Sequence, residues 1–287
     1  MRSVTVTVLG IAQDGGFPQP GCNLPCCLGV TEKRSPVSLG IVGSDGSTHL
    51  FEASRDLGRQ FEIWHGVEPQ SGPLTSLSIT HAHLGHVDGI GLFGKEVMGA
   101  TGLTLYCSQQ FSALIETTPA WHQLKEQGVF IPQEWTSEIP FTPSIDCGFT
   151  ITPIQVPHRD ELTDTHALLI TGTNQKLLFM PDHDSWEDTL SGNDIRSWLR
   201  SMEIDIALID GTFFSTEEIR HRNISEIPHP TVKESLERLG PKMPGDPEII
   251  FIHLNHTNPL LNEKSEESSM VSSLGWSVGQ EGQKFDL

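Results

Sequence analysis

Short apolar runs with frequent β-branched residues recur from one end of the chain to the other, and this pattern predicts strands. Many of them alternate apolar and polar positions, which is typical of a strand with one face in a core. The predicted strands cover residues 4–12, 37–42, 49–52, 74–80, 103–107, 149–156, 166–171, 176–180, 204–209 and 248–253. Helix-like stretches cover residues 55–65, 86–98, 109–116, 186–202, 232–239 and 266–274.

The order of these elements indicates the fold class. Strands come in runs with helices interspersed, which favours two packed sheets with helices outside over a strictly doubly wound sheet. Only 36% of the 287 residues are apolar, but the predicted strands are strongly apolar, and a chain of this length can bury a substantial core. No linker divides the sequence. We therefore expect one α/β (α+β) domain over residues 1–287.

A histidine-rich run follows one of the predicted strands. Its sequence, Thr-His-Ala-His-Leu-Gly-His-Val-Asp-Gly, places His81, His83 and His86 within six residues. Neutral imidazole is the commonest protein ligand for zinc-like metals. Because alternate residues of a strand point to opposite faces, these side chains converge only if the strand ends in a loop at this point. The run therefore predicts a metal site at the carboxyl end of a strand.

Three more residues of the same chemistry stand where an apolar predicted strand stops, and these are His158, Asp182 and His253. Loops at strand ends often carry functional residues on a rigid scaffold. We therefore predict that all three join the same metal site. Two alternatives stay open: Asp182 can instead cap a helix that begins near residue 185, and His256 can replace His253 as a ligand.

The formal net charge is -19. This charge repels phosphate backbones and anionic membranes, so we expect neither a nucleic-acid nor a membrane partner. A small anionic substrate stays open, because a bound metal dominates the local charge. We expect a small-molecule substrate, and a homodimer is one option for the oligomeric state. The sequence enters a strand almost at once, so we expect that it contains no signal peptide as it stands. We therefore expect a cytoplasmic location. An N-terminal signal that was removed from the protein is the alternative.

Cys22, Cys26 and Cys27 form a cluster in the loop after the first predicted strand. The cysteines number five, and Cys107 and Cys147 lie in or beside apolar strands, which suits reduced thiols better than a disulfide framework. The cluster is a candidate for a structural zinc ion, although it contains no Cys-x-x-Cys pair and no evident fourth ligand. Buried free thiols and the lining of a substrate pocket are the alternatives.

The ligand order His-x-His-x-x-His, then His, Asp and His, resembles that of the metallo-β-lactamase superfamily. Members of this superfamily are four-layer αββα sandwiches with one or two metals at the sheet ends. The segments 10–19, 210–214 and 253–259 resemble the branch that contains pyrroloquinoline quinone biosynthesis protein B. The resemblance implies a first metal held by three histidines, a bridging aspartate, and a second metal held by two histidines. The matching residues are, in that order, His81, His83 and His158, then Asp182, then His86 and His253.

The sequence departs from the superfamily motif at one position. The motif has an aspartate directly before its third histidine, and this chain has Gly85 there. That aspartate normally binds the second metal and orients the attacking water, so we expect the second site to be weaker or different in kind, and Asp88 lies too far along to replace it. Either one three-histidine zinc site with an open position remains, or His86, His253 and Asp182 form a two-histidine, one-carboxylate site that suits iron.

These observations favour a metal-dependent hydrolase that uses a metal-activated water on an ester, lactone, phosphodiester or amide-type small molecule. One or two Zn²⁺ ions per chain are expected, with Fe²⁺ or Mn²⁺ as alternatives. Asp182 and His256 are the candidate catalytic residues, and Arg159 and Arg222 are candidates to hold an anionic substrate. The first alternative is a non-haem iron-dependent oxygenase on a peptide- or amino-acid-derived substrate, as in quinone cofactor biosynthesis. The second is a non-catalytic metal or ligand carrier.

Overall fold

The computed structural model describes residues 3–69, 72–219 and 227–287. The first half of the chain contains, in order, β1 (Thr5–Gly10), β2 (Ser38–Val42), β3 (Thr48–Phe51), α1 (Leu57–Val67), β4 (Leu74–Ser78), α2 (Leu84–Val87), β5 (Leu103–Cys107), α3 (Gln109–Thr117), α4 (Pro119–Glu126) and β6 (Phe130–Glu134). The second half contains β7 (Thr150–Val156), β8 (Thr165–Thr171), β9 (Lys176–Met180), α5 (Trp186–Leu190), α6 (Ile195–Ser201), β10 (Ile206–Asp210), α7 (Val232–Leu239), β11 (Glu248–Ile252), α8 (Glu266–Ser273), β12 (Ser277–Val278) and β13 (Lys284–Asp286).

The strands form two sheets. One has the order β13-β1-β2-β3-β4-β5-β6, and the other has the order β12-β11-β10-β9-β8-β7. In the first sheet β3, β4, β5 and β6 run parallel, while β1 and β2 pair antiparallel. In the second sheet β9, β10, β11 and β12 run parallel, while β7 and β8 pair antiparallel. The parallel strands bring their carboxyl ends to one edge of each sheet.

Two apolar cores separate the layers. One core lies between the sheets, where Val6 and Phe179 are fully buried, and extends to Trp186 and the other helices of the second half. The other core covers the outer face of the first sheet, where Trp64 of α1 and Phe111 of α3 are buried. Helices therefore flank both sheets. The predicted αββα order of layers is confirmed.

The prediction of one helix over residues 86–98 is wrong. Helix α2 begins two residues earlier, ends at Val87, and is followed by a short 3₁₀ helix, Ile90–Phe93. The cause is a close backbone contact at Gly89. Its N–H donates to Ala53 O over 2.8 Å, and a Cβ at this position would lie only 2.0 Å from Ser54 O. The chain turns there to keep this contact.

The single helix predicted over residues 186–202 is two helices. Helix α5 ends at Leu190, and the next two residues are left-handed, Ser191 with φ of 49° and Gly192 with φ of 88°. Helix α6 then starts afresh, because the Asp194 side chain accepts from the N–H of Ser197 at its N-terminus. Left-handed residues end helices, and a new cap starts the next one.

Several short elements carry no signal that the sequence pattern detects. These are α4, the edge strand β6 with its internal proline, and the two short edge strands β12 and β13. Edge strands make few buried contacts, so their side chains need not alternate between apolar and polar. No helix in the described part of the chain is long and apolar enough to cross a membrane.

Candidate metal centre

The predicted ligands lie at the carboxyl ends of strands from both sheets. His81 follows β4, His158 follows β7, Asp182 follows β9 and His253 follows β11. Strands β7 and β9 are parallel to each other, because each pairs antiparallel with β8. The two sheets approach closely at this edge, where a parallel bridge joins Ala12 to Leu254. The structure therefore brings ligands from distant parts of the sequence to one place.

The first group consists of three histidines. His83 Nδ1 lies 3.0 Å from His81 Nε2 and 3.1 Å from His158 Nε2. Three nitrogens this close cannot all be paired as hydrogen-bond donors and acceptors, but they can share one cation. Three histidine ligands are also the protein ligands of some catalytic zinc sites, so this group has a suitable composition for zinc.

The far nitrogen of each of these histidines has its own partner. Thr80 Oγ1 lies 2.9 Å from Nδ1 of His81, and Asp184 Oδ1 lies 2.8 Å from Nδ1 of His158. Glu161 Oε2 lies 3.1 Å from Nε2 of His83. Such outer partners fix the tautomer and the ring orientation of metal-binding histidines. The inward nitrogens of the three histidines are therefore the ones free to bind a metal.

Asp182 lies between the first group and two further histidines. Its Oδ1 is 3.8 Å from His158 Nε2, while its Oδ2 is 3.0 Å from His86 Nε2 and 3.5 Å from His253 Nε2. Ser185, not Asp182, caps helix α5, since the Ser185 side chain accepts from the N–H of Asp188. The capping interpretation of Asp182 is therefore not what the structure shows. The carboxylate therefore lies between the two groups of histidines.

The second group contains His86, His253 and a residue that the sequence analysis missed, Asp14. One ligand atom from each lies within 4.8 Å of the others. Thr212 Oγ1 lies 2.9 Å from Nδ1 of His253, and Glu52 Oε2 lies 3.5 Å from Nδ1 of His86. Each of these two histidines again turns its Nε2 toward the centre.

The residues present fit a metal. His253 Nε2 and Asp182 Oδ2 are buried without an aligned hydrogen-bond partner among the described residues. Burial, together with the neighbouring His86, lowers the pKa of His81 well below its usual value, and a metal ligand must be unprotonated. Burial raises the pKa of Asp182, but His253 and His86 lower it more, so the net pKa lies well below the usual range. Imidazoles and carboxylates are ligands for zinc, iron and manganese alike.

Backbone strain marks the same place. Glu52 has φ of 68° and His253 has φ of 62°, both in the left-handed region that non-glycine residues rarely adopt. Strain of this kind persists where the surrounding structure holds a functional geometry. The Glu52 carboxylate is buried, and its Oε1 accepts from the N–H of Thr80 over 3.2 Å. Glu52 thus joins the end of β3 to the loop that begins the histidine run.

His229 and Asp210 are two further residues that the sequence analysis missed. His229 is buried, its Nδ1 lies 2.7 Å from Asp210 Oδ2, and its Nε2 is a buried atom without a hydrogen-bond partner among the described residues. Its Nδ1 also lies 3.8 Å from Asp182 Oδ1. Burial lowers the pKa of His229, but Asp210 raises it more, and the net shift is upward. The end position of Asp210 in β10 was the one signal available from the pattern.

The cysteine cluster has a fourth member in the structure. His256 Nδ1 lies 3.5 Å from Sγ of both Cys26 and Cys27, and Sγ of Cys22 lies 3.8 Å from Sγ of Cys26. His256 is therefore grouped with the cysteines and not with Asp182 or His253. The chain turns sharply after β11 at the left-handed His253, which sends the two histidines to different sites.

Only one of the two arginines proposed to bind an anion lies within the described residues. Arg222 lies outside the described residues. Arg159 Nη1 lies 3.7 Å from Glu161 Oε1, and the Arg159 charge acts to lower the pKa of His229. Arg159 is thus near the metal centre but already has an acidic neighbour.

A cleft of about 720 Å³ opens beside the second group. It is bordered by Asp14, Arg55, Phe213, Asn255 and His256. Phe213, from the segment 210–214, supplies an apolar part of its wall. The cleft therefore reaches from the metal centre to the cysteine cluster.

Comparison with known proteins gives the family. A family model described as a beta-lactamase superfamily domain matches residues 48–254, well over half of the chain. Proteins named coenzyme PQQ synthesis protein B are similar over their whole length. The one from Xanthomonas oryzae pv. oryzae (strain MAFF 311018) is 25% identical, and the one from Azoarcus sp. (strain BH72) is 26% identical; each alignment covers 98% of this chain and 99% of the relative.

Solved structures show the same fold. Zn²⁺-bound PqqB from Methylobacterium extorquens has a TM-score of 0.77 at 21% identity, over 99% of this chain and 100% of that one. A diphosphatase from the PhnP family has a TM-score of 0.67 at 18% identity, over 100% of this chain and 98% of that one. The predicted metallo-β-lactamase fold is confirmed. The chain belongs to the beta-lactamase superfamily and resembles its PqqB branch.

Proposed function

We propose that this protein is a metal-dependent hydrolase that acts on a small molecule with an ester, lactone, phosphodiester or amide-type bond. One observation carries the proposal: Asp182 lies within 4 Å of histidines from both groups, and the buried His229 stands next to that carboxylate. The fold supports this class of chemistry, and the choice of reaction rests on the site.

The metal-binding residues have separate roles. His81, His83 and His158 would hold one ion, His86 and His253 would hold another, and Asp182 would bridge the two. A metal held here would lower the pKa of a coordinated water and polarise the bond to be cleaved. Zn²⁺ is the first choice, and Mn²⁺ or Fe²⁺ suits the same ligands.

His229 is the candidate proton donor to the leaving group. Asp210 holds its Nδ1, and Nε2, a buried atom without a hydrogen-bond partner among the described residues, is the atom that would carry the proton. Asp210 is itself fixed, since its Oδ1 accepts from the N–H and the hydroxyl of Thr212 over 2.9 and 2.7 Å. A histidine positioned by a carboxylate is a common arrangement for general acid–base catalysis. In this proposal His229 takes the role first considered for His256.

The cysteine cluster is proposed as a separate, structural zinc site. Three thiolates and one imidazole form a closed four-ligand set, which is typical of zinc in a structural role. Cys22, Cys26 and Cys27 come from the loop after β1, while His256 comes from the loop after β11. A zinc ion would therefore tie these two loops together at the rim of the cleft.

A second candidate function is an iron-dependent oxygenase. One observation favours it, since the second group of ligands is a two-histidine, one-carboxylate set, which suits non-haem iron. The third candidate, a carrier without catalysis, leaves the buried pair of His229 and Asp210 without a role. The net charge of -19 favours a small-molecule substrate over nucleic acid in all three cases.

The test is a reconstitution experiment. Protein purified anaerobically is loaded with Zn²⁺, Mn²⁺ or Fe²⁺ and assayed on chromogenic esters, lactones, phosphodiesters and amides, while oxygen uptake is followed in the Fe²⁺ sample. Hydrolysis that is lost in His81→Ala supports the hydrolase. Oxygen uptake with an amino-acid-derived substrate, and no hydrolysis with any metal, would replace it with the oxygenase.

A further inference from the structure

The space beside Gly85 is filled by a side chain from another part of the molecule. A Cβ at position 85 would lie 2.0 Å from Asp14 Oδ1 and 2.4 Å from Asp14 Cα. Atoms that are not bonded do not approach this closely, so any side chain at position 85 requires the loop around Asp14 to move. The absence of a side chain at Gly85 and the presence of Asp14 are therefore one structural feature.

We propose that Asp14 is the carboxylate ligand of the second metal, in the place that the motif aspartate would otherwise take from position 85. Its Oδ1 lies 3.7 Å from His86 Nε2, and its carboxylate forms a group with His86 and His253. With Asp182 on the other side, the second metal has two imidazoles and two carboxylates. This proposal deepens the proposed function and rests on it, since it concerns the same metal centre.

The backbone holds Asp14 in this position from both sides. The N–H of Gln13 donates to Leu254 O over 2.8 Å, directly after His253, and the N–H of Gly16 donates to Gln13 O over 2.7 Å. Gly16 has φ of 71°, which glycine adopts without strain. The turn at residues 13–16 is therefore tight, and it presents its second residue toward the metal centre.

In this proposal the carboxylate ligand comes from a different place in the sequence, residue 14 instead of residue 85, but occupies the same place in the site. Helix α2 still delivers His86 from the histidine run, but the acidic group comes from the loop after β1. The charge of the second site is then -2 from Asp14 and Asp182, which balances a divalent cation. Gly85 is in this view an adaptation to Asp14 and not a mark of lost catalysis.

The test measures metal binding and not only activity. Protein that keeps its cysteine-bound zinc is stripped at the histidine sites and titrated with Mn²⁺, with binding followed by calorimetry and by the electron paramagnetic resonance signal of a coupled manganese pair. Wild-type protein should bind two Mn²⁺ ions. In Asp14→Asn and Asp14→Ala the second ion should bind about 10–100-fold more weakly, a loss of the size that removal of even an outer partner causes, and the coupled signal should disappear at low Mn²⁺.

Asp88→Asn is the matched control. It makes the same change of charge two residues after His86, but Asp88 pairs with Arg55 and belongs to no metal-binding group among the described residues. It should leave both Mn²⁺ affinities unchanged. The Asp14 side chain is 45% exposed, so its substitution should also leave the thermal midpoint of the stripped protein unchanged.

The outcomes separate the two proposals. If Asp14→Asn binds both Mn²⁺ ions as tightly as wild type does, Asp14 is not a ligand, even if activity falls. If Asp14→Asn loses the second ion and wild-type protein with two ions hydrolyses no substrate, the Asp14 assignment stands and the proposed hydrolase does not. If Asp88→Asn weakens the second ion as much as Asp14→Asn does, the effect is one of general charge and the assignment is wrong.

Discussion

Nδ1 of His229 lies 2.7 Å from Oδ2 of Asp210, and both side chains are buried at the carboxyl edge of the second sheet. The contact spans two elements, since Asp210 ends β10 and His229 lies in the segment before α7. An imidazole held on one side by a carboxylate presents its other nitrogen in a fixed direction. Asp182 lies beside the same ring, with its Oδ1 3.8 Å from His229 Nδ1, which is why this pair is central to the proposed hydrolase.

Replacement of His229 by glutamine should lower kcat by about 10²–10⁴-fold, the usual contribution of a positioned acid or base. We expect metal content to stay unchanged because Asp210 already holds His229 Nδ1, although His229 also forms a possible ligand group with Asp182 and His253. Steady-state kinetics and elemental mass spectrometry on the same preparation measure both. Loss of a metal ion in His229→Gln would show that this histidine is a ligand instead of a proton donor.

Single ligand substitutions should separate the two metal sites. His81→Ala should remove the ion held by the three-histidine group, and His253→Ala should remove the other one. Asp182→Asn should weaken both, since its carboxylate lies within 4 Å of histidines from both groups. Metal content per chain after dialysis measures the loss. If His253→Ala keeps every metal of the wild type, His253 is not a metal ligand.

Gly85→Ala should weaken the second metal even though alanine has no ligand atom. The new Cβ would displace Asp14, whose Oδ1 lies 2.0 Å from that position. Gly91→Ala is the control, because a Cβ there meets no atom within 4 Å. Mn²⁺ titration should show weaker binding of the second ion in Gly85→Ala only. Equal affinities in the two variants would mean that the loop moves aside without consequence.

Removal of zinc from the cysteine cluster should lower thermal stability without removing the catalytic metals. A ligand present at a thousand times its Kd stabilises a protein by about 4 kcal/mol, so Cys26→Ser should lose stabilisation of this order. Cys147→Ser is the control for zinc content only, since Cys147 lies outside the cluster but is fully buried in the core. Zinc content and the unfolding midpoint measure the effect. If Cys26→Ser retains the zinc content of wild type, the cluster is one of free thiols.

His49 should make the protein less stable in acid. Burial lowers its pKa to about 4, with a smaller opposing effect of Asp45, and the ring lies between the hydroxyls of Ser47 and Ser76. Because the folded pKa lies below the unfolded value, stability is unaffected at neutral pH and falls as the pH drops from about 6.5 toward 4. The loss at pH 4.5 should be about 2–3 kcal/mol.

The check is denaturant unfolding at pH 7 and pH 4.5, with a chelator present throughout so that metal loss does not contribute. His49→Gln should show a smaller drop between the two pH values than wild type does. Identical drops would show that other groups, such as the buried His166, account for the acid sensitivity.

The pattern of the sequence was enough to predict the two-sheet architecture and the strand-end positions of His81, His158, Asp182 and His253. Both follow from local rules, because apolar runs form strands and parallel strands bring their carboxyl ends to one edge. It also identified Gly85 as the departure from the superfamily motif. It could not show why the departure exists, because the explanation lies in a loop about seventy residues earlier in the chain.

Only the tertiary structure brought Asp14 to His86, Asp210 to His229 and His256 to the cysteines. Each of these contacts joins residues that lie outside a common strand or helix, and no periodic pattern records such a contact. The position of His256 beside the cysteines depends on a single left-handed turn at His253. Local propensity disfavours this turn, and long-range packing imposes it. Local hydrophobic periodicity determines where strands form. The partners of a polar side chain depend instead on which loops meet when the two sheets pack together.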